Sequence, residues 1–357
     1  MQRIVGVDLL RGIAVLGMFA AHVGHDEPPF WSATGWLVVA DGRPAATFAL
    51  LAGVSAALLS GGPRPRSGPR LTHAVVRILT RAAALWPIGL VMIALGTPVA
   101  VILPTYAVMF GLVTLTLRWT RRTLVAVAGV VAVVGPVVWV LAREATTSAG
   151  IPRLPQALDV LLGVHYPAVV WMAYLLVGVA VGRSDLTAPG TVRRLAAVGA
   201  ACAVVGYGAG ALATAAVAPQ HTVRRALVSI EPHANSTPEV VGNVGVSLLL
   251  LAGCLLLVRH AAPLVAPVAA TGALALTAYC GHLVAIAVLG DSVVWLPSNG
   301  TLLAFVGVTL ALTWLWRTSL GRGPLERLLH ELSTAVADAL VPAGAPRPPE
   351  PAQLSPR

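Results

Sequence analysis

Ten apolar runs, each about long enough to cross a bilayer, dominate this chain of 357 residues. Of its residues, 57% are hydrophobic and 11% are charged, whereas a soluble domain carries roughly 25% charged residues. The sequence therefore predicts an all-α polytopic membrane protein with about ten transmembrane helices. The runs lie at about 5–24, 36–60, 76–96, 99–117, 123–142, 166–182, 195–217, 240–258, 265–289 and 300–316.

The arginines predict the orientation of these helices. All 24 basic residues are arginines, and 19 of them fall on one side when the chain begins in the cytoplasm and each run crosses the membrane. Because cytoplasmic loops are enriched in basic residues, we expect both termini to be cytoplasmic. The net charge of +10 comes from arginines between apolar runs, a pattern that favours membrane loops over nucleic-acid binding. The three cysteines lie far apart inside apolar runs, so we expect neither a disulfide nor a metal site.

The C-terminal part divides into a helix and a tail. Pro324 stands at a favourable helix start, and five apolar residues then fall on one helical face: Leu325, Leu328, Leu329, Leu332 and Val336. We therefore expect a transmembrane domain over 1–320 and an amphipathic helix on the inner membrane surface over 321–342. The Pro-rich segment 343–357 is predicted to be disordered.

Two polar residues in the first run share one helical face. Eleven residues separate Arg11 from His22, which is a rotation of about 1100°, or about 20° beyond three full turns. The two side chains are therefore about 16 Å apart along one stripe, with Arg11 near the inner side. Ionisable residues within the bilayer are costly, so they mark candidate functional sites. Anchoring for Arg11 and a helix–helix hydrogen bond for His22 are the structural alternatives.

Further polar side chains recur at the outer ends of other runs. Asp41 and Arg43 flank a glycine where the second run begins, either as a salt bridge or facing an acceptor molecule. Beyond these, the candidate binding residues are His165, His233, Asn243 and Tyr279, and His25 and His282 join His22 as candidate catalytic residues. For His282, packing within a helix bundle is an equally good interpretation.

Six blocks in order along the chain resemble one family. They are GVDLLRGIAVLGMFAAH, ADGRPAATFALLAGVSAAL, HYPAVVWMAYLLVGVAVGRSDL, PHANSTPEVVGN, GALALTAYCGHL and GRGPLERLL. The chain resembles bacterial membrane proteins similar to heparan-alpha-glucosaminide N-acetyltransferase, within a wider set of transmembrane acyltransferases. The resemblance implies that an acyl group, typically acetyl, passes from cytoplasmic acetyl-CoA to a sugar or glycolipid across the membrane. An arginine followed eleven residues later by a histidine is also typical of membrane enzymes that O-acetylate polysaccharides.

The resemblance also contains a departure. In the heparan-type enzymes the position of His22 looks like an asparagine, and the catalytic histidine lies about ten residues before the aspartate that matches Asp41. Trp31 occupies that place in this chain. Either His22 or, through a loop shift, His25 would then take the catalytic role, or the chain does not transfer acetyl groups.

These observations lead to one hypothesis and one alternative. In the hypothesis, Arg11 and Arg183 bind the phosphates of coenzyme A, and His22 removes a proton from an acceptor that arrives from outside. The alternative is a transporter of a small polar or lipidic solute, because ten spans with charges inside them fit that class too. We expect the protein in a bacterial plasma membrane, with homo-oligomerisation left open.

Overall fold

The computed structural model describes residues 3–25, 27, 30–151 and 154–341, and this part of the chain is helical without any strand. Two 3₁₀ segments, Gly35–Ala40 and Thr114–Thr116, accompany the α-helices. The α-helices are α1 (Val5–Val23), α2 (Arg43–Leu59), α3 (Gly68–Ala94), α4 (Leu103–Val113), α5 (Arg121–Ser148), α6 (Gln156–Leu162), α7 (Ala168–Gly182), α8 (Pro189–Ala216), α9 (Thr222–Val228), α10 (Thr237–Ala273), α11 (Ala275–Leu289), α12 (Ser292–Trp295), α13 (Asn299–Ser319) and α14 (Pro324–Leu340).

The predicted fold class is confirmed. Within the described residues, seven helices are long and apolar enough to cross a membrane: α1, α2 with its preceding 3₁₀ turn, α3, α5, α8, α10 and α13. Three shorter apolar helices, Leu103–Thr116, Ala168–Gly182 and Ala275–Leu289, correspond to the remaining predicted runs. Proline in the first turn favours the start of α3, α4, α8, α10 and α14, because a first-turn nitrogen has no helical acceptor.

The ninth predicted run is divided in the structure. α10 is 37 residues long and kinks at Ala261, whose φ and ψ are −136° and 32°. Pro263 and Pro267 follow the kink and remove two backbone donors from the helix. A second break at Leu274 then separates α10 from α11. The predicted run 265–289 is therefore the last part of α10 followed by α11, not one straight helix.

Hydrogen bonds between connecting segments define two sides of the bundle. On one side, Arg183 donates to the carbonyls of Gly62 and Leu117, and Arg259 donates to that of Thr187. We call this arginine-rich side the inner side and the opposite side the outer side.

The centre of the bundle is formed by α1, α2, α7 and α10, while α13 and α8 leave most of their surface exposed. α1 approaches the last part of α10 so closely that a Cβ on Gly12 would lie 2.0 Å from the Val268 carbonyl oxygen. A Cβ on Gly272 would lie 1.7 Å from the Asp8 carbonyl oxygen. Only glycine permits this contact, which places the residues beside Gly12 against the start of α11.

α14 forms within the predicted 321–342 helix and packs on the protein through small residues. Ser333 and Ala337 are fully buried, and Arg81 of α3 donates to the Ser333 hydroxyl. Leu328 and Leu332 are instead 51% and 42% exposed. Leu325 and Leu329 of the predicted stripe pack against the core, while Leu328 and Leu332 stay at the surface of the protein. The predicted tail, 343–357, lies outside the described residues.

Candidate active site

Two histidines from different helices meet near the outer side. His22, in the last turn of α1, places its Nδ1 3.1 Å from Nε2 of His282 in α11. The two rings are nearly parallel, with 9° between their planes and 5.3 Å between their centroids. Phe19, one turn before His22, packs its ring 4.7 Å from the His282 ring. Two of the three predicted catalytic histidines thus form one pair.

The hydrogen bonds of the pair specify where its protons lie. His282 Nδ1 is 2.5 Å from the Tyr279 carbonyl oxygen, which can only accept, so this nitrogen carries a proton. In a neutral His282, Nε2 is then the acceptor, and His22 Nδ1 must donate to it. Nε2 of His22 is left with a lone pair. The carbonyl of Tyr279 therefore sets His22 in the tautomer that a general base requires.

A small cavity of about 240 Å³ opens beside His22 on the outer side. Asp41 and Leu37 line it from the chain before α2, and Trp295 and Pro297 line it from the chain before α13. His22 is therefore accessible to a small polar group from the outer side.

A second cavity of about 260 Å³ lies toward the inner side. Arg11, Arg81 and Glu326 contribute its charges, while Phe48, Leu85 and other apolar side chains form its walls. Tyr106 also lines it, and the buried Tyr106 hydroxyl has no hydrogen-bond partner in the described residues. Such a group is costly to bury unpaired, so it marks a place where a ligand's polar atom would bond.

Tyr279 and the start of α4 lie between the inner cavity and the histidine pair. The Tyr279 ring centroid is 5.2 Å from that of His282, and its hydroxyl accepts from the Ile102 backbone nitrogen at 3.4 Å. Leu103, the next residue, lines the inner cavity. The pair therefore lies between the inner cavity, at Arg11, and the outer cavity, at His22.

Arg11 lies at the inner cavity, as its helical position predicts. Its guanidinium donates to the Asp8 carboxylate at 2.8 Å and to the Ser55 hydroxyl at 2.9 Å. Arg3 pairs with the other Asp8 oxygen. Asp8 is thus shared between two arginines, which leaves a net positive charge at this end of the cavity.

Arg183 has a different environment. Its guanidinium donates to the carbonyls of Ala57, Gly62 and Leu117 and to the Ser60 hydroxyl, at 2.7–3.2 Å. These bonds tie the inner ends of α2 and α7 together. The arrangement explains Arg183 as a structural brace and does not favour contact with a phosphate.

Next to the outer cavity, a buried carboxylate organises the loop before α10. Glu239 accepts from the backbone nitrogens of His233 and Asn235, and from the Asn243 amide. His233 and Asn235 have φ values of 60° and 52°, in a left-handed region that residues other than glycine rarely adopt. Glu239 therefore holds the predicted binding residue His233 in a strained turn.

The imidazole of His233 lies in a cluster of aromatic rings. Tyr166 and His165 meet it edge-on at 5.4 and 5.7 Å, and Trp171 stacks on it at 6.3 Å. Burial, with a smaller contribution from His165, lowers the pKa of His233 to about 4, so the ring is neutral near pH 7. Burial lowers the pKa of His165 as well.

Arg43 reaches toward α8. Its Nε donates to the Tyr207 hydroxyl at 3.0 Å, and that hydroxyl donates to Asn243 at 2.6 Å. Asn243 in turn donates to the Tyr174 hydroxyl at 3.2 Å. This chain of bonds connects Arg43 and Asn243, two residues 200 positions apart that were predicted to bind an acceptor.

His25 is not part of the histidine pair. Its backbone exchanges two hydrogen bonds with the Asn299 side chain, and its ring faces Glu27 at 3.2 Å. The side chain is 45% exposed.

Within the described residues, no three His, Cys, Asp or Glu side chains are grouped to hold a metal ion.

Three residues of the site were not among the predicted ones: Tyr106, Arg81 and Glu326. A tyrosine in an otherwise apolar helix was the available signal for Tyr106. Arg81 was counted among the loop arginines, although it lies within α3. Glu326 reaches the cavity only because α14 packs against α11, a contact that no spacing in the sequence predicts.

The sequence of this chain matches a known family. The family described as heparan-alpha-glucosaminide N-acetyltransferase, catalytic, matches residues 3–213, which is more than half of the chain. The chain belongs to this family. The resemblance seen in the sequence is confirmed, and a membrane acetyltransferase-like function follows. No curated protein matches the chain. The part of the chain that matches the family, residues 3–213, contains Arg11 and His22 but ends before His282.

Proposed function

We propose that this protein transfers an acetyl group from acetyl-CoA on the inner side to a hydroxyl or amine of a sugar or glycolipid on the outer side. The observation that carries this proposal is the His22–His282 pair, which lies between an inner and an outer cavity. A donor and an acceptor can thus approach the same base from opposite sides.

The inner cavity suits the donor. Arg11 and Arg81 offer guanidinium groups, whose planar N–H donors match phosphate oxygens, at its charged end. Its apolar walls suit a narrow pantetheine chain, and the unpartnered Tyr106 hydroxyl would bond one of its amide or thioester carbonyls. Arg81 replaces Arg183 in this assignment, because the Arg183 guanidinium is occupied by backbone carbonyls.

The histidine pair supplies the proton transfer. The acceptor's oxygen or nitrogen attacks the thioester carbon and gives its proton to Nε2 of His22, while the carbon–sulfur bond breaks and the thiolate of coenzyme A leaves. The proton then passes from His22 to the thiolate. A positioned base contributes roughly 10²–10⁴-fold to such a step. The Tyr279 hydroxyl would donate to the oxyanion, since it already accepts from Ile102.

The aromatic cluster around His233 suits the acceptor. Flat rings of Tyr166 and Trp171 surround a neutral imidazole next to the outer side. Asp41 lines the outer cavity with His22 and would bond hydroxyl or amine groups there. The lysine-free, arginine-rich composition supports a bacterial plasma membrane, and homo-oligomerisation stays a prediction.

The test is transfer by the purified full chain from labelled acetyl-CoA to a panel of sugars and amino sugars. His22→Gln is expected to lower transfer at least 100-fold, whereas His221→Gln, at an exposed loop position, is expected to retain it. Full transfer by His22→Gln would contradict the assignment of the base.

The transporter alternative predicts a different result, because two cavities separated by a polar pair would also suit alternating access. Flux of a solute through liposomes without any acyl donor, together with no stabilisation by acetyl-CoA, would favour it over the transferase.

A further inference from the structure

A crevice of about 250 Å³ lies between α5, α7, α8 and α10, away from both cavities of the candidate active site. It shares no lining residue with either of them. Its walls are almost entirely apolar, with valines and leucines from all four helices and Cys202 of α8. Such a crevice suits an apolar occupant better than water, since water gains few hydrogen bonds there.

The crevice opens toward the bilayer. Val125 of α5 and Val198 of α8 stand at its rim with 54% and 52% of their surface exposed. Leu248 of α10, at its back, is 3% exposed. One wall is therefore the protein core, and the opposite side faces the hydrocarbon of the membrane.

Two cations stand at the inner end of the crevice. Arg121 is the first residue of α5, and Arg194 lies in the second turn of α8, so both are at the arginine-rich side. Both side chains are exposed, and the Nε of Arg194 folds back to the Gly190 carbonyl. Among the described lining residues none is acidic, so the charge at this end is uncompensated.

We propose that this crevice binds an anionic phospholipid of the inner leaflet, with its phosphate at Arg121 and Arg194 and one acyl chain in the crevice. Guanidinium groups bind phosphate with charge-assisted, paired hydrogen bonds. The negative surface potential of anionic lipids attracts arginines that lie near the membrane surface. A free anion would leave the apolar walls uncovered, which makes a lipid the better fit.

The chain contains its own matched control for the charges. Arg122 and Arg193 are the direct neighbours of the two arginines, are also exposed, and do not line the crevice. The probes are phosphatidylglycerol, phosphatidylcholine with the same chains, and inorganic phosphate, added to the full chain in detergent. The measurement is the melting temperature as a function of lipid concentration, with lipid retention in native mass spectrometry.

Wild-type protein is expected to be stabilised by phosphatidylglycerol more than by phosphatidylcholine, and not by phosphate. The double variant Arg121→Gln/Arg194→Gln is expected to lose roughly 5- to 30-fold in apparent affinity for phosphatidylglycerol. Arg122→Gln/Arg193→Gln is expected to keep it. Val198→Trp, which fills the rim and leaves both arginines in place, is expected to weaken binding of either lipid.

Three results would overturn the proposal. They are equal stabilisation by both lipids, equal loss in the two arginine double variants, and a phosphate effect as large as that of phosphatidylglycerol. The last would indicate a simple anion site. None of these measurements depends on acetyl transfer, so the lipid site and the proposed function fail or succeed separately.

Discussion

The Tyr279 carbonyl sets the tautomer of His22 indirectly, through His282. The Tyr279 carbonyl accepts from His282, which makes the other His282 nitrogen the acceptor for His22. The lone pair on His22 Nε2 is thus set through a neighbouring ring, by hydrogen bonds alone. His282 acts in this account as a positioning residue, and its replacement tests the idea.

We expect His282→Leu to lower kcat about 10- to 100-fold because His22 loses the acceptor that sets its tautomer, with little change in KM for acetyl-CoA. His282→Gln retains a carbonyl oxygen that can accept from His22 Nδ1 and is expected to recover part of the loss. Steady-state measurements of kcat and of KM for acetyl-CoA in both variants test whether His282 positions His22. Equal kcat in the two variants would indicate that His282 only packs.

The Tyr106→Phe variant is expected to change the affinity for acetyl-CoA without lowering the thermal stability of the ligand-free protein. Its buried hydroxyl lacks a partner in the described residues, and an unpaired buried hydroxyl costs about 1–3 kcal/mol. Without ligand, the variant is expected to melt at the same or a higher temperature than wild type. Its affinity for acetyl-CoA is expected to fall about 5- to 10-fold. A variant that is less stable and binds normally would show that the hydroxyl has a structural partner instead.

At the scale of elements, helix contacts bring the site together. The close approach of α1 to the last part of α10 requires Gly12 and Gly272 to lack a Cβ. Glu326 of α14 accepts from the backbone nitrogens of Leu276 and Thr277, where α11 begins. These contacts place Arg11 and Glu326 at the same inner cavity, although 315 positions separate them.

Gly12→Ala is expected to destabilise the protein by about 1–3 kcal/mol, because its Cβ would overlap the Val268 carbonyl. Gly253→Ala is the control: it lies inside α10, where an added Cβ meets nothing within 4 Å. There alanine is expected to be neutral or stabilising by about 0.4–1 kcal/mol. Thermal unfolding in detergent measures both, and a similar shift in the two variants would argue against the close contact.

Glu326→Gln replaces one carboxylate oxygen by an amide that can no longer accept from α11. We expect a loss of about 1–2 kcal/mol in stability, since bonds to a charged acceptor are among the stronger ones. Glu331→Gln, on the exposed side of the same helix, is the matched control and should melt as wild type does. If both variants melt alike, α14 does not brace α11.

For the whole molecule, the outer histidines whose pKa values are lowered make stability depend on pH. The pKa of His233 is lowered to about 4 in the folded chain, whereas an unfolded histidine titrates near 6.5. Between these values the unfolded chain binds more protons, so stability falls as pH is lowered from about 6.5 toward 4.

We expect His233→Gln to reduce this acid sensitivity, by up to roughly 1–3 kcal/mol at pH 4. Melting temperatures from pH 7.5 to 4 measure it. His165→Gln is expected to give a smaller effect of the same sign, because its pKa is also lowered. Unchanged pH dependence in His233→Gln would show that His233 is protonated in the fold.

The apolar runs and the eleven-residue spacing of Arg11 and His22 were sufficient to predict the fold class and one stripe of α1. The arginine asymmetry predicts the membrane orientation, which stays a prediction. These properties depend on composition and on helical periodicity, which are local. The family could be recognised for the same reason, since its blocks are short and ordered along the chain.

Only the tertiary structure decided which polar residues meet. It paired His22 with His282, turned His25 toward Asn299, engaged Arg183 with backbone carbonyls and brought Tyr106, Arg81 and Glu326 to one cavity. It also divided the ninth run at Leu274 and buried Ser333 and Ala337 of α14 against the protein. These outcomes depend on contacts between helices far apart in the chain, and on backbone carbonyls and glycine surfaces that a pattern of side chains does not encode.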